Sequence, residues 1–135
     1  MTSDWERLDI EDKVLTILRA VPRAGGPDVY GRPFISVYQL AIEMEVRYPA
    51  VGRELNKPLG GTGIGQSTSL VQYLAPQLAR QIGRNGADYP IEGAGLSPER
   101  LADITFRPPH GDPIRSSNTE ARWALSLFRV RDQQI

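Results

Sequence analysis

Apolar positions recur at helical spacing in three stretches of the first two-thirds of the chain. Ile10, Val14, Ile17, Leu18 and Val21 form one stripe and predict a helix over 10–21. Asp9 stands at its cap position, Asp12 can reach back from the third position, and Pro22 stops it. Trp5 and Leu8 either extend this helix forward or pack as an arm across the core. The segment AGGPDVYGRP that follows is loop material.

The second stretch has the clearest local signature. Ser36 followed by Gln39 is a capping box, with Ile35 and Leu40 placed for a hydrophobic staple around it. Val37, Leu40, Ala41, Met44 and Tyr48 follow one face, and Pro49 disfavours helical geometry at Tyr48, so the helix ends there. Residues 49–66, PAVGRELNKPLGGTGIGQ, read as a long glycine-rich connection in which VGREL can add a helical turn. The third helix starts near Ser67 or Ser69. Ser69 and Gln72 can form another capping box, and Leu70, Leu74, Leu78 and Ile82 keep one side apolar. Pro76 predicts either a kink or a fresh start at PQLARQI. Gly83 is a plausible stop and Asn85-Gly86 a turn.

Beyond residue 86 the pattern shortens. Tyr89 to Glu92 and ITFR at 104–107 have strand character, SPERLAD at 97–103 reads as a capped helical turn, and PPHGDP at 108–113 is turn material. EARWALSLFRVR fits either period, and alternation of Trp123, Leu125 and Leu127 favours a strand paired with 104–107. The whole predicts an α+β fold, a three-helix core followed by a small antiparallel hairpin or sheet, in one domain spanning 1–135. Residues 10–86 are mainly helical and 87–135 mixed.

Composition narrows the function classes. The 135 residues contain no cysteine, which excludes disulfides, thiolate metal sites and thiol catalysis. Acidic and basic side chains balance at 16 each, but unevenly along the chain. Residues 1–12 hold Asp4, Glu6, Asp9, Glu11 and Asp12 against Arg7, whereas 46–86 hold Arg47, Arg53, Lys57, Arg80 and Arg84 against Glu54. The acidic start is neither a secretory signal nor a transit peptide, and no apolar run reaches membrane-span length, so the expected location is cytoplasmic with no membrane partner. Nearly all the basic residues are arginine. That suits bidentate phosphate and guanine contacts, although a GC-rich genome favouring arginine codons is the larger part of the explanation.

Three candidate chemistries carry little weight. GGTGIGQS at 60–67 has P-loop spacing with Gln66 in the lysine position, and an amide cannot supply the charge that reaches the phosphates. His110, the one histidine, lies beside Asp112 in turn material, where an exposed role explains it. Asp9, Glu11 and Asp12, with Lys13, could hold a metal, but carboxylates at a helix start stabilise its dipole. No catalytic residue, metal or cofactor is expected, and the protein reads as non-enzymatic.

FISVYQLAIEM at 34–44 resembles the second helix of a winged helix-turn-helix domain, and QSTSLVQYL at 66–74 the start of its recognition helix. The resemblance spans roughly 10–130 in topology and lies in detail on those two segments. It implies a double-stranded DNA ligand read by the N-terminal part of the third helix, as in a regulator or accessory factor. The residues so implicated are Gln66, Ser67, Thr68, Ser69, Gln72 and Tyr73, with free amides at the helix start favouring a phosphate. Arg53, Lys57, Arg80 and Arg84 flank them, while Arg107, Arg115, Arg129 and Arg131 could arm a wing. The other open reading is a protein-interaction module of the same shape without a DNA face. There the glycine-rich loop and exposed Tyr30, Tyr38 and Tyr73 make the contacts.

Overall fold

The computed structural model describes residues 2–23, 28–59, 69–101, 104–116 and 124–131. Its elements are α1 (Asp4–Arg7), α2 (Ile10–Arg19), β1 (Ile35–Ser36), α3 (Val37–Arg47), α4 (Pro49–Leu55), α5 (Leu70–Asn85), β2 (Ile91–Leu96), β3 (Thr105–Phe106), β4 (Ile114–Arg115) and β5 (Leu125–Val130). The fold is α+β. Helices α2, α3 and α5 surround one apolar core, closed by an antiparallel sheet of order β1-β5-β2; β3 and β4 form a second, two-stranded sheet.

The capping box of α3 forms in full. The Ser36 hydroxyl accepts the Gln39 N–H at 3.2 Å, and Gln39 Oε1 accepts the Ser36 N–H at 2.7 Å. Ile35 and Leu40 are both buried beside it. Tyr48 ends α3 as expected, but Pro49 then opens a helix of its own, because proline suits a first helical position where its missing N–H is not needed. Helix α4 ends at Asn56 in the left-handed conformation (φ 54°).

The N-terminal cap is a correction. Asp9 has φ 50° and makes no side-chain cap bond. The cap instead serves the short α1, where the Ser3 hydroxyl accepts the Glu6 N–H. The left-handed turn at Asp9 separates α1 from α2, which lets both Trp5 and Ile10 reach the core. Helix α2 stops at Arg19, short of Pro22, and one Arg32 guanidinium nitrogen donates to the carbonyls of Arg19 (2.9 Å) and Val21 (2.6 Å) at its end.

Helix α5 runs unbroken through Pro76, whose exposed position leaves the apolar stripe of Leu70, Val71, Leu74 and Leu78 intact. It passes Gly83 and ends at Gly86, the residue with positive φ (56°). SPERLAD does not form a helix over its described part: Leu101 N–H reaches the Pro98 carbonyl, and Arg100 at φ 61° turns the chain out of helical geometry.

Strand β5 is where tertiary pairing departs most from expectation. It is a strand, but its partners are β1 and β2, in register Ile35↔Phe128 and Ile91↔Val130. Strand β3 pairs instead with β4 across the local turn at 107–113. The reason is geometric: β5 buries Phe128 and Val130 on one face, and the six-residue β2 pairs along its whole length while β1 covers its other side. Gly93 faces Phe128 in this sheet, and a Cβ there would lie 3.2 Å from Ile82 of α5. Trp123 lies outside the described residues. Phe106 of β3 stacks on Tyr38 of α3 with ring centroids 5.0 Å apart and planes 7° apart, so the hairpin folds onto the helical core.

Candidate nucleic-acid interface

Helix α5 has two faces of opposite character. Leu70, Leu74 and Leu78 point into the core, and a second stripe runs from the half-buried Tyr73 and Gln77, Tyr73 packed against the core edge, to the exposed Arg80 and Arg84. Arg80 and Arg84 are exposed, one turn apart, and neither makes an ion pair among the described residues. Lys57 places its ammonium 5.9 Å from the centre of the Tyr73 ring. Arg53 is exposed in the last turn of α4, just before the segment that joins the start of α5. The structure thus brings Lys57, Tyr73, Arg80 and Arg84 to one side of the molecule, with Gln72 beside them at the first turn.

The start of α5 is not an open anion site. Its first amides are already satisfied: Leu70 N–H donates to the Pro58 carbonyl (2.6 Å), Val71 N–H to that of Leu59 (3.2 Å), and Gln72 N–H to the Ser69 hydroxyl (3.0 Å). Ser69 is buried and serves only as the cap. The expectation of free amides there is overturned because the residues after α4 return to pair with them, a contact no local pattern foretells. Gln66, Ser67 and Thr68, and the whole GGTGIGQS segment, lie outside the described residues.

The arginines expected on a wing divide. Arg129 donates to the carbonyls of Tyr30 (2.6 Å) and Arg32 (3.1 Å), pairs with Glu92 at 3.2 Å, and lies 4.3 Å over the Phe34 ring. Arg131 donates to the carbonyls of Tyr89 and Gly86 and approaches Glu92 at 3.8 Å. Both are internal clamps, so their assignment to a wing is corrected. Arg107 and Arg115 are exposed on the β3–β4 hairpin, where Arg115 lies opposite Thr105. Tyr38 is likewise corrected: it is 2% exposed and belongs to the core, whereas Tyr30 is 70% exposed.

The remaining polar candidates have structural roles or stand alone. His110 and Asp112 are exposed in the hairpin turn. Among the described residues no three His, Asp or Glu side chains come together as metal ligands would. Lys13 donates to the Leu8 carbonyl at 2.6 Å, closing the junction between α1 and α2. Glu11 accepts the Tyr89 hydroxyl at 2.5 Å, tying the start of α2 to the end of the α5 turn. Burial, and then the hydrogen bond to the Glu11 carboxylate, push the Tyr89 phenol far above its ordinary value.

That contact gives a pH test. A raised phenol pKa means the folded chain keeps a proton that the unfolded chain releases near 10.0, so the stabilisation is complete below that pH and is lost as pH rises beyond it. Urea unfolding should show wild-type stability falling by up to about 1.4 kcal/mol per pH unit above that point, a slope that Tyr89→Phe removes while costing about 1 kcal/mol at neutrality. Equal alkaline slopes in the two proteins would refute the role given to this pair.

Tyr73 also titrates above its ordinary value, chiefly through burial and secondly through Asp4, with Arg80 acting the other way. Asp4 and Glu6 of α1 line a cleft together with Tyr73, Arg80 and Arg84. No family model, curated protein or solved structure matches this chain. Its function has to be read from these residues. Gln77 was not singled out in the sequence, although its spacing from Tyr73, Arg80 and Arg84 was the signal; the acidic character of Asp4 and Glu6 was legible, but nothing local signals that they line a cleft with Arg80 and Arg84.

Proposed function

We propose that the protein binds double-stranded DNA without catalysis, in the manner of a winged helix-turn-helix domain and from a cytoplasmic location, with α5 as the helix laid against the duplex. The observation that carries the reading is the stripe of α5 itself, where Arg80 and Arg84 are exposed, one turn apart and without ion-pair partners among the described residues. The chain order supports it: β1 lies between α2 and α3, α5 precedes β2, and the sheet order is β1-β5-β2. Apart from α1, α4 and the β3–β4 hairpin, this order resembles that of a winged domain. Asp4 is held by Arg7 at 3.0 Å on its own helix, which reduces its repulsion of a phosphate. Arg80, Arg84, Arg53 and Lys57 make phosphate contacts in this reading, and Gln72, Tyr73 and Gln77 face the bases. No helix among the described residues is long and apolar enough to cross a membrane.

Fluorescence anisotropy against mixed-sequence duplex at about 50 and 200 mM salt tests it. Affinity is expected to fall steeply with salt, and the double variant Arg80→Gln/Arg84→Gln to lower the salt slope by about 2. Absence of binding at the lower salt, or a double variant that binds like wild type, would overturn the assignment.

One observation favours the second reading, a protein-interaction module. Val29 and Tyr30 are 89% and 70% exposed in a single turn of 3-10 helix, Asp28–Tyr30, whose last carbonyl is fixed by Arg129. A rigidly held pair of exposed apolar side chains suits a partner's pocket. If that reading is the correct one, Val29→Ser/Tyr30→Ser abolishes capture of a protein partner and leaves duplex binding absent in wild type and variant alike.

A further inference from the structure

Between α1 and the outer stripe of α5 lies a cleft of about 360 Å³, within the size range of small-molecule sites. Its walls carry opposite charge: Asp4 and Glu6 on one side, Arg80 and Arg84 on the other. The walls do not neutralise each other. Asp4 pairs with Arg7 outside the cleft lining, and neither arginine pairs with any described residue. Tyr73 and Gln77 line the space between, and neither side chain has a hydrogen-bond partner among the described residues. Trp5, 8% exposed, contributes an apolar surface.

We propose that this cleft binds a small zwitterion of the α-amino acid class, its carboxylate held by Arg80 and Arg84 and its ammonium by Glu6, with Asp4 remaining paired to Arg7. The exclusions follow from the same walls. A small anion seated inside the cleft would leave the Glu6 carboxylate unpaired beside it, a cation would meet two guanidinium groups, and a molecule carrying both charges satisfies each wall. Tyr73 lines the cleft together with both walls. Its hydroxyl and the Gln77 amide supply neutral hydrogen bonds to the ligand's carboxylate, and the aliphatic body lies against Trp5. Because both walls are open to solvent, affinity is modest, with Kd on the order of 1 mM. The site does not depend on duplex binding, although it uses two of the same arginines.

The test is an amide chemical-shift titration of the full chain with three probes: L-norleucine, hexanoate (the same molecule without its amine) and pentylamine (without its carboxylate). Norleucine is expected to give saturable shifts at Tyr73, Gln77 and Arg84, with each half-molecule binding at least about tenfold more weakly. Glu6→Gln should erase the preference for norleucine over hexanoate, and Arg84→Gln its preference over pentylamine. The same spectra report that both variants are folded. Hexanoate binding as tightly as norleucine would reduce the cleft to a plain anion site and overturn the proposal. So would the absence of saturable shifts with norleucine up to about 50 mM.

Discussion

Replacing Arg129 by methionine is expected to lower the unfolding free energy by about 2–3 kcal/mol. The guanidinium holds two backbone carbonyls of the 30–32 segment, a carboxylate on the neighbouring strand and the face of Phe34. Hydrogen bonds from a charged donor contribute about 1.5–3 kcal/mol each when buried. The side chain is 24% exposed, so water recovers part of that loss once it is removed, which sets the lower figure. Methionine keeps the apolar stem over Phe34 and removes only the donors and the charge. Urea unfolding of the two proteins measures the difference. A change below about 0.5 kcal/mol would mean the clamp contributes no more than an ordinary surface side chain. The companion measurement is duplex affinity: an internal clamp predicts that the folded variant binds like wild type, whereas a wing arginine predicts a smaller salt slope.

Leu74→Ala is expected to cost about 3 kcal/mol. Leu74 has no exposed surface and sits in the middle of the α5 stripe, between Leu70 and Leu78, which are equally buried. Truncation removes its transfer free energy and leaves a cavity between α5 and the rest of the core, and rigid neighbours close such a cavity only in part. Arg84→Gln, ten residues further along the same helix but exposed, should change stability by less than about 0.5 kcal/mol. The pair of measurements separates the inward face of α5 from its outward face. Similar losses from both variants would show that the outer stripe is packed, and would remove it as a binding surface.

Helix α3 was legible almost to the residue because everything that defines it is local. Ser36 and Gln39 are three positions apart, and Pro49 acts on its immediate neighbour. The inward face of α5 was legible for the same reason, since helical periodicity alone sorts Leu70, Leu74 and Leu78 onto one side. At Asp9 the local signal misled. An acid preceding an apolar stripe reads as a cap, yet burying Trp5 with α2 requires a left-handed turn at that residue, and the turn aims its side chain elsewhere.

The candidate interface shows the same division. Arg80 and Arg84 were found from charge and spacing, and they do lie exposed together. Arg129 and Arg131 carry the same side chain and were grouped with them, because nothing near them in sequence reveals that their partners are Tyr30, Arg32, Tyr89 and Glu92.

By itself, then, the sequence determined what depends on neighbours within one helical turn: three core helices, their inward faces and the positions of the exposed arginines on α5, while the segment of β5 fitted either period and only leaned to a strand. Only the tertiary structure decided which strands flank β5, that the amides opening α5 are already taken by Pro58 and Leu59, and that α1 sets an acidic wall opposite Arg80 and Arg84. Each of those depends on groups brought together from distant positions, as Tyr30 and Arg129 are from 99 positions apart, and such pairings are chosen by the burial of the whole core rather than by any local pattern.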